Sequence, residues 1–566
     1  MHFPHLSYLN KQPYINLKRN TKKVRKKMED YTPNLQLILL VILAITLIPT
    51  LAKYHNTRKS RKTINKRGKI NKQLPQPSGA LPFIGHLHLL GGKRTIARTL
   101  GAMADECGPI FSLRLGQQRA VVLTSWEIVK DCLLNNDAVT ATRPTMALSK
   151  YLAYNYASFA ISPYGKYWRD MRKIATVELF SLKRLEKMKH ARVSEINSCI
   201  KHLFKECREI SVSDSKYQSG RISLCKWIEC TSFNIAIRMI VGKTFSPQSY
   251  EESSTFASRF KKLIGKATYV AGVAVPSDFI PSIEWMDVMG YIGFMKDIHK
   301  EIDMIIGHWL DEHIQRRKDY QGSYEDVDFM DVMLSNLAEG TIISGYTRET
   351  VIKATALILL LTGSESTSIT LIWAISLLLN HPKALKAAQE EIDQQVGKQR
   401  WVEESDIPSL PYLQVIIKET LRMYPPSPLA GPREVLEDCH IGGHLVSKGT
   451  RVIVDIWKVH RDPRVWAGPD EFRPERFFDE HINIDFRGQS YEYIPFSAGR
   501  RACPGMNFGL LVVQLSLARL VQGFDLRTEG GAPVDMSEGL GLAIPKATPL
   551  NAILATRLPK ELYDVL

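Results

Sequence analysis

The sequence predicts a mainly helical protein with one large domain behind an N-terminal membrane anchor. Two stretches carry this prediction: an uncharged apolar run over Leu35–Ala52 and a long apolar helical pattern over Thr350–Asn380. A chain of 566 residues is long enough for several domains, but nothing inside its body reads as a flexible linker. The composition, with 44% hydrophobic and 23% charged residues, is that of an ordinary globular protein.

The run Leu35–Ala52 contains no charged residue, and its length lies at the short end of the roughly 17–25 residues that a transmembrane helix needs. A cleaved signal peptide is the alternative interpretation. The basic tract Lys53–Lys72 follows directly, however, and no small-x-small cleavage site is present. The run therefore predicts an uncleaved anchor, and the basic tract predicts that the body lies on the cytoplasmic side of the membrane.

Almost all of the net charge belongs to the N-terminal end. Residues 1–72 contain 17 Lys and Arg against Glu29 and Asp30, so they carry +15 of the chain's +17. The basic residues before the anchor oppose the predicted orientation, and a start at Met28 removes this conflict. Residues 1–27 are therefore predicted to be dispensable or a translation-start artefact. A basic arm for nucleic acid is the alternative, but nothing in the body predicts nucleic-acid binding.

A proline-rich segment follows the basic tract, with prolines at positions 75, 77 and 82. Closely spaced prolines give a stiff, extended segment rather than a loose tether. The predicted organisation is a basic extension over 1–27, an anchor over 28–52, a basic and proline-rich hinge over 53–82, and one folded domain over 83–566.

The long helical pattern has clear ends. Thr347 can cap the helix, Glu349 lies in its first turn, and His381-Pro382 ends it. The stretch Ala354–Leu361 is apolar on nearly every face, which predicts a buried helix rather than an amphipathic one.

A polar island interrupts this buried helix at residues 362–368, Thr-Gly-Ser-Glu-Ser-Thr-Ser. Unpaired buried polar groups cost several kcal/mol, so the island needs a reason. A kink satisfied by hydroxyl-to-backbone bonds is the structural explanation. The functional explanation is a groove in which a small polar molecule sits and receives protons. An acid flanked by hydroxyls, with Gly363 to open the helix, favours the functional explanation.

Cys503 stands in an unusual loop, Phe-Ser-Ala-Gly-Arg-Arg-Ala-Cys-Pro-Gly over residues 496–505. The two glycines allow close backbone approach, and Pro504 stiffens the chain just past the sulfur. Arg501 can pair with an anionic group on a bound ligand, and a thiolate held this way suits a metal. The eight cysteines include no C-x-x-C pair, which excludes a small disulfide or zinc framework and fits a reducing compartment.

Two further pairs place charged side chains on helix faces. Glu419 and Arg422 share a face at i, i+3, upstream of Phe-Arg-Pro-Glu-Arg-Phe at 472–477. Trp168 and Arg172 share a face at i, i+4, so that a ring and a guanidinium project together. Each pair alone is a weak signal, because an exposed pair of this kind is worth under about 1 kcal/mol.

The spacing of Phe496, Gly499, Arg501, Cys503 and Gly505 resembles the haem-binding signature of cytochrome P450 enzymes. The resemblance covers the chain from Pro75 to the C-terminus. It implies the cytochrome P450 fold, mainly α with a small β-rich region, as one large domain behind the transmembrane helix. Within the family, the chain looks like a plant microsomal A-type enzyme of the branch that oxidises specialised metabolites such as benzylisoquinoline alkaloids.

The resemblance also implies roles for individual residues. Cys503 matches the axial thiolate ligand of the iron in haem b, and Glu419, Arg422 and Arg476 match a structural Glu–Arg–Arg network. The proton-relay positions are Glu365, Ser366 and Thr367, with serine where the family usually has threonine. The cofactor-binding positions are Trp168, Arg172, Arg433, Phe496, Arg501 and Cys503.

The reaction implied is a monooxygenation, in which one atom of O2 enters a small lipophilic substrate and the other becomes water. Electrons come from NADPH through a cytochrome P450 reductase, at the endoplasmic reticulum membrane, with a single-pass anchor and a cytoplasmic catalytic domain. The first substrate hypothesis is a protopine- or protoberberine-type alkaloid, and the alternatives are terpenoid or phenolic/coumarin hydroxylation. A haem-thiolate isomerase or dehydratase and a non-enzymatic membrane haem sensor or scaffold are the remaining alternatives. Substrate contacts are expected from Met146–Phe159, Leu359–Ser364, Ser427–Gly431 and Gly539–Ile544.

Overall fold

The computed structural model describes residues 74–92, 94–212, 221–250, 255–320, 325–541 and 543–566. The predicted extension, the anchor and the hinge up to residue 73 lie outside these residues. The α-helices of the described residues are α1 (Leu87–Leu90), α2 (Ile96–Cys107), α3 (Trp126–Lys130), α4 (Asp137–Thr140), α5 (Lys166–Ile174), α6 (Leu182–Lys187), α7 (Lys189–Val212), α8 (Leu224–Val241), α9 (Phe256–Ala271), α10 (Tyr291–Asp319), α11 (Phe329–Asn336), α12 (Arg348–Asn380), α13 (Pro382–Gln395), α14 (Pro411–Met423), α15 (Ile456–Val459), α16 (Met506–Gly523) and α17 (Lys560–Asp564).

Short 3-10 and π-helical turns connect several of these helices. The π-helical turns are Asp131–Asn135, Leu148–Leu152 and Ala175–Leu179, and the 3-10 helices are Pro247–Tyr250, Pro276–Asp278, Pro281–Met286, Glu404–Ser409, Pro474–Phe477, Gly499–Arg501 and Glu529–Gly531.

Helix α12 is the central helix of the fold, and its bounds agree with the sequence prediction within two residues. The Thr347 side chain caps it by accepting a hydrogen bond from the Thr350 N–H at 3.3 Å. Helices α8, α14 and α16 pack along it. Among the described residues, α12 is the one helix long and apolar enough to cross a membrane, but most of it is buried inside the protein. It is therefore a core helix, as the apolar pattern predicted.

The strands form small sheets, as the resemblance implied. The strands of the described residues are β1 (Ile110–Leu115), β2 (Gln118–Leu123), β3 (Ile222–Ser223), β4 (Ile342–Ile343), β5 (Tyr346–Thr347), β6 (Arg433–Glu434), β7 (Cys439–Ile441), β8 (His444–Val446), β9 (Arg451–Val454), β10 (Phe524–Arg527) and β11 (Asn551–Thr556). The largest sheet has the order β1-β2-β9-β6, in which β2 and β9 are parallel and the other neighbours antiparallel. A second sheet has the antiparallel order β10-β11-β3, and two hairpins pair β4 with β5 and β7 with β8.

The predicted Glu–Arg–Arg network is present and fully buried. Arg422 donates to both carboxylate oxygens of Glu419 at 2.7 and 2.8 Å, and Arg476 Nε donates to Glu419 Oε1 at 3.1 Å. Arg422 also donates to the carbonyl of His460, whose ring accepts the N–H of Ile494 at 2.9 Å. The network thereby reaches the segment that leads into the cysteine loop.

The described end of the proline-rich hinge packs on the folded domain. The Ser112 N–H of β1 donates to the Pro75 carbonyl at 2.8 Å, and His86 Nε2 lies 3.1 Å from the Pro77 carbonyl. These bonds attach the segment to β1 and to the residue before α1.

Candidate active site

A cavity of about 410 Å3 lies between α12 and the cysteine loop. Its lining is mostly apolar and comes from α5, α12, α16, the cysteine loop and the segment before α5. It brings together eight of the nine residues predicted for the site: Trp168, Arg172, Glu365, Ser366, Thr367, Phe496, Arg501 and Cys503.

The cysteine loop is a tight turn with little room for other residues. The Cys503 N–H donates to the Phe496 carbonyl at 2.9 Å, which closes the loop around the sulfur. Gly499 has φ of +68°, and a Cβ there would lie 2.7 Å from the Leu133 carbonyl oxygen. Glycine is therefore required at this position both for its conformation and for its close contact.

The Cys503 side chain is exposed to the cavity that it lines, and its thiol is otherwise surrounded by protein atoms. This burial raises the pKa of the thiol. A hydrogen bond from the backbone of Gly505 and the charge of Arg172 act in the opposite direction without overcoming it. The free sulfur is thus a neutral thiol, and a metal ion that binds it has to displace the proton.

Arg501 is fixed beside this thiol. Its guanidinium donates to the carbonyls of Ala141, Phe159 and Ser162 at 2.7, 3.2 and 2.6 Å. It also lies 4.5 Å from the centre of the Trp168 ring. These contacts hold the side chain rigidly but supply no counter-charge.

Three guanidiniums line the cavity, those of Arg143, Arg172 and Arg501. Burial lowers the pKa of all three, and the positive charge of Arg433 lowers the pKa of Arg143 and Arg501 further. The pKa of Arg143 falls to about 9 and that of Arg501 to about 8. A cluster with so little compensating charge fits a ligand that carries two negative charges.

Arg433 is the predicted site residue that the structure does not place on the cavity. Its guanidinium donates to Asp137 Oδ1 at 3.0 Å and to the Ala498 carbonyl at 3.1 Å. It therefore supports the cysteine loop, and its charge is paired with that of Asp137, which lies far away in the sequence. Arg143, which the sequence analysis missed, lines the cavity instead and donates to the carbonyls of Gly431 and Pro432 at 2.8 and 2.7 Å.

The polar island forms a continuous part of α12, with its hydroxyls bonded to helix carbonyls. Ser366 Oγ donates to the Thr362 carbonyl and Thr367 Oγ1 to the Gly363 carbonyl, both at 2.8 Å. Hydrogen bonds from the hydroxyls to helix carbonyls, the structural explanation, thus account for Ser366 and Thr367. It does not account for Glu365, which faces the cavity. Burial and the nearby Glu229 raise its pKa to about 7, against a hydrogen bond with Thr268 that lowers it.

The raised pKa of Glu365 predicts a stability difference that depends on pH. Between the ordinary value of 4.5 and about 7, the folded protein keeps a proton that the unfolded chain has released. Stability of the wild type therefore falls as pH rises through this window, relative to a Glu365→Gln variant that has no such proton. We expect the free energies of unfolding to diverge in the variant's favour by about 2 kcal/mol by pH 7, seen as a growing difference between the apparent melting temperatures recorded at one scan rate. A difference that stays constant from pH 4.5 to pH 8 would contradict the assignment.

The predicted substrate-contact segments reach the cavity only in part. From Met146–Phe159, the cavity is lined by Leu148, Leu152, Ala153, Ser158 and Phe159. The tyrosines of this segment lie elsewhere: Tyr151 donates to Glu284, and the Tyr154 ring contacts the His299 ring at 4.6 Å. These tyrosines hold the segment against the 3-10 helix Pro281–Met286 and α10, so their role is packing rather than lining the cavity. The other three segments contribute Leu359, Leu361, Thr362, Gly363, Ser427, Ala430 and Ala543.

Comparison with known proteins decides the family. Residues 75–550 match the family model described as Cytochrome P450. This chain belongs to the cytochrome P450 family. It is 46% identical over 506 residues to dimethylnonatriene synthase of Arabidopsis thaliana, covering 89% of this chain and 95% of that relative. It is also 46% identical over 496 residues to xanthotoxin 5-hydroxylase CYP82C4 of the same plant, covering 86% and 94%. A zebra fish cytochrome P450 structure with progesterone shares the fold at TM-score 0.66 and 23% identity, covering 81% and 99%.

This P450 is a plant microsomal A-type monooxygenase of specialised metabolism, with haem as cofactor and a reductase as electron donor. The residues present fit that cofactor. A thiol on the cavity wall, a cluster of guanidiniums without counter-charge and mostly apolar surroundings match an iron porphyrin with two carboxylates. Bound at this site, haem supplies the chemistry of O2 activation, while the protein controls access, orientation and protons.

Proposed function

We propose that this P450 hydroxylates a neutral, largely apolar phenolic metabolite of the coumarin type. The observation that carries the proposal is the chemistry of the cavity wall. Among the described residues, its ionisable members are Arg143, Arg172, Arg501, Cys503 and Glu365. The first four face the haem site, and Glu365 is half protonated near neutral pH. Glu365 is the one carboxyl group among these wall residues, so the wall offers little to hold a cationic amine, which argues for a neutral substrate.

Relatives at 43–46% identity are named for xanthotoxin, flavonoid, strychnine and nicotine, and none of these names is a benzylisoquinoline. One relative at 46% identity is named for hydroxylating xanthotoxin, in agreement with the phenolic or coumarin class. The other is named dimethylnonatriene synthase, which favours a terpenoid as the second candidate. A protoberberine, whose nitrogen is a permanent cation, fits the cavity wall least well.

The roles of the site residues follow from their positions. Cys503 is the proposed iron ligand, Arg143, Arg172 and Arg501 the proposed partners of the cofactor's carboxylates, and Trp168 supports Arg501. Glu365 and Ser366 are the proposed proton relay. Because serine lacks the methyl group that restricts χ1 in threonine, Ser366 turns more freely between the Thr362 carbonyl and the cavity.

Attachment to the endoplasmic reticulum membrane by a single-pass anchor is part of the proposal. Its support from the described residues is an exposed apolar patch on the 3-10 helix Pro281–Met286 and the turn after it. Trp285 is 83% exposed, and Met286, Val288 and Met289 are each more than half exposed. Patches of this kind on a protein surface mark interaction with a membrane or a partner.

The test is a product analysis of microsomes that carry this chain and a plant cytochrome P450 reductase. They are given NADPH with separate panels of coumarins, flavonoids, terpenoids, and protopine and protoberberine alkaloids. We expect a product with one added oxygen from the coumarin panel, dependent on NADPH. A Ser366→Ala variant should keep the haem spectrum, form about tenfold less product and release more peroxide per NADPH.

Other outcomes separate the alternatives. Product from the terpenoid panel alone would support the second candidate, and product from the alkaloid panel alone would overturn the neutral-substrate argument. Conversion of a hydroperoxide without NADPH would support the isomerase or dehydratase. An intact haem spectrum without turnover of any substrate, unaffected by Ser366→Ala, would support a sensor or scaffold.

A further inference from the structure

A fully buried pair joins α10 to the start of α11. His313 Nε2 of α10 lies 2.8 Å from Asp328 Oδ2, and neither side chain is exposed to solvent. His313 Nδ1 lies 2.6 Å from the Trp309 carbonyl. A carbonyl oxygen can only accept a hydrogen bond, so Nδ1 carries a proton. Asp328 is the N-cap of α11, and its Oδ1 accepts the Asp331 N–H at 3.0 Å.

This geometry makes His313 an imidazolium. The start of a helix favours the charged form of a carboxylate, because the first N–H groups of the helix point towards it. An ionised Asp328 can only accept hydrogen bonds, so Nε2 carries a proton as well as Nδ1. Burial lowers the pKa of His313 and so does the charge of Arg316, but Asp328 and the Trp309 carbonyl outweigh both and raise it above its ordinary value of 6.5.

The elements packed against this pair contribute further charged groups and rings. A Cβ at Gly242, after the end of α8, would lie 2.9 Å from Asp328 Oδ2, and α9 places the ring of Phe260 against Trp309. Charged groups on these elements form ion pairs: Arg317 with Asp326 at 3.2 Å, Arg184 with Asp326 at 3.8 Å, Lys243 with Glu312 at 2.7 Å and Arg238 with Glu195 at 2.9 Å. Burial and the charge of Asp328 raise the pKa of Asp331, so a test has to separate its titration from that of His313.

The residue after Asp328 belongs to the wall of the active-site cavity. Phe329 is the first residue of α11, is buried and lines the cavity. Its ring meets the Phe180 ring edge to face, with the ring centres 5.5 Å apart. A Cβ at Gly505 of the cysteine loop would lie 3.7 Å from the Phe180 ring. Phe329 thus supports an aromatic ring that packs directly on the loop of the proposed iron ligand.

We propose that His313 is a positioning residue for the cofactor: its imidazolium holds Asp328 and the start of α11, so that Phe329 keeps the Phe180 ring against the cysteine loop. Loss of one proton from His313 leaves either the Trp309 carbonyl or the Asp328 carboxylate without its donor. The start of α11 is then held less firmly, and the cavity retains haem less well. This role concerns the cofactor, so it does not depend on the substrate class.

The expected dependence on pH follows from the raised pKa of His313. The imidazolium is fully present below the ordinary value of 6.5 and is lost as pH rises through the higher pKa of the folded protein. Retention of haem should therefore be strongest at low pH and weaken towards alkaline pH. A role of His313 in packing alone would give no such profile.

The first test is the rate at which the haem-loaded protein loses haem to excess apomyoglobin, measured between about pH 6 and about pH 9. We expect His313→Gln to lose haem about three- to tenfold faster than the wild type near pH 6, the range that loss of an aromatic contact gives. The ratio of the two rates should approach one as pH rises, because the wild type loses the same charge. Titrations that the two proteins share, such as that of Glu365, cancel in this ratio.

Three further variants isolate the pair. His308→Gln is the matched control, because His308 lies on the same helix and pairs with Glu312 at 3.1 Å in a largely exposed position. It should lose haem at the wild-type rate at every pH. Asp331→Asn keeps the His313–Asp328 pair and should keep the wild-type dependence on pH. Phe329→Leu keeps the pair but removes the ring, so its profile should follow that of His313→Gln.

The second test measures the charge of His313 directly, without turnover. Nitrogen NMR of protein labelled in its histidine rings distinguishes an imidazolium from a neutral ring, and the signal of His313 is assigned by its loss in His313→Gln. We expect both ring nitrogens of His313 to be protonated at about pH 7, where an ordinary histidine is mostly neutral.

Two results would overturn the inference. A neutral His313 ring at about pH 7 would show that the imidazolium is not present. Haem loss from His313→Gln at the wild-type rate at every pH would show that the pair does not secure the cofactor, and Phe329→Leu decides the same point if His313→Gln does not accumulate. A wild-type protein that binds haem but oxidises no panel substrate would contradict the proposed function and leave both measurements valid.

Discussion

Replacing Cys503 by serine is expected to abolish the thiolate-type spectrum of the reduced carbon monoxide complex. Product formation should fall by more than about 100-fold, beyond the 10–100-fold that loss of an outer-shell partner costs. The reason is that Cys503 is the cysteine among the described wall residues, so its sulfur is the iron ligand that serine would have to replace. Serine keeps the size and hydrogen-bonding ability of the side chain but is a far poorer anion. The measurement is the carbon monoxide difference spectrum of microsomes, with product quantified in the same sample.

Cys107→Ser is the matched control for this change. Cys107 ends α2, is half-buried and does not line the cavity, and burial raises the pKa of its thiol as well. We expect its spectrum and product yield to equal those of the wild type. A thiolate-type spectrum that survived in Cys503→Ser would mean that another sulfur binds the iron. That outcome would contradict the arrangement of the cavity, in which Cys503 is the cysteine among the described wall residues.

The second large effect is expected from Glu419→Gln, at a residue that is not part of the cavity lining. This change leaves Arg422 and Arg476 fully buried without a counter-charge, which costs about 3–5 kcal/mol. Because folded proteins are stable by only about 5–15 kcal/mol, we expect little folded protein to accumulate. The measurement is the yield of haem-containing protein, together with the apparent melting temperature of whatever folds.

Glu390→Gln tests whether loss of any carboxylate has this effect. Glu390 pairs with Lys386 at 3.6 Å on α13, and both side chains are more than half exposed. Such a pair is worth about 0–1 kcal/mol, so yield and melting temperature should stay close to wild type. Arg422 also donates to the His460 and Pro469 carbonyls. If Glu419→Gln had the melting temperature of the wild type, these carbonyls alone would be enough to stabilise the buried guanidinium, which would contradict the prediction.

The parts of the fold and site that the sequence predicted correctly depend on neighbours in the chain. The ends of α12 follow from Thr347 at its start and Pro382 after its last residue, both local signals. Trp168 and Arg172 reach the cavity together because i, i+4 spacing places them on one face of α5. The cysteine loop is similarly local, since its glycines, proline and cysteine lie within ten residues.

What the sequence did not show are the contacts between distant segments. Arg433 and Arg143 have the same side chain. Only the folded chain shows that Arg433 pairs with Asp137, whereas Arg143 lines the cavity. The partners of Glu365 were missed for the same reason, because Thr268 and Glu229 lie on two other helices. Tyr151 illustrates a third case, in which an aromatic residue of a cavity-lining segment turns away to bond Glu284. Periodicity describes one element at a time and contains no information on such pairings.

The guanidinium cluster has a consequence for the life of the protein in the cell. Without an anion between them, Arg143, Arg172 and Arg501 repel one another in a poorly solvated space, so the empty protein is the less stable form. A ligand that binds only the folded state adds stability in proportion to the logarithm of its concentration over its dissociation constant. Small changes in that stability alter the fraction of chains that proteases remove. We therefore expect the abundance of this enzyme to follow the cofactor supply of the cell that makes it.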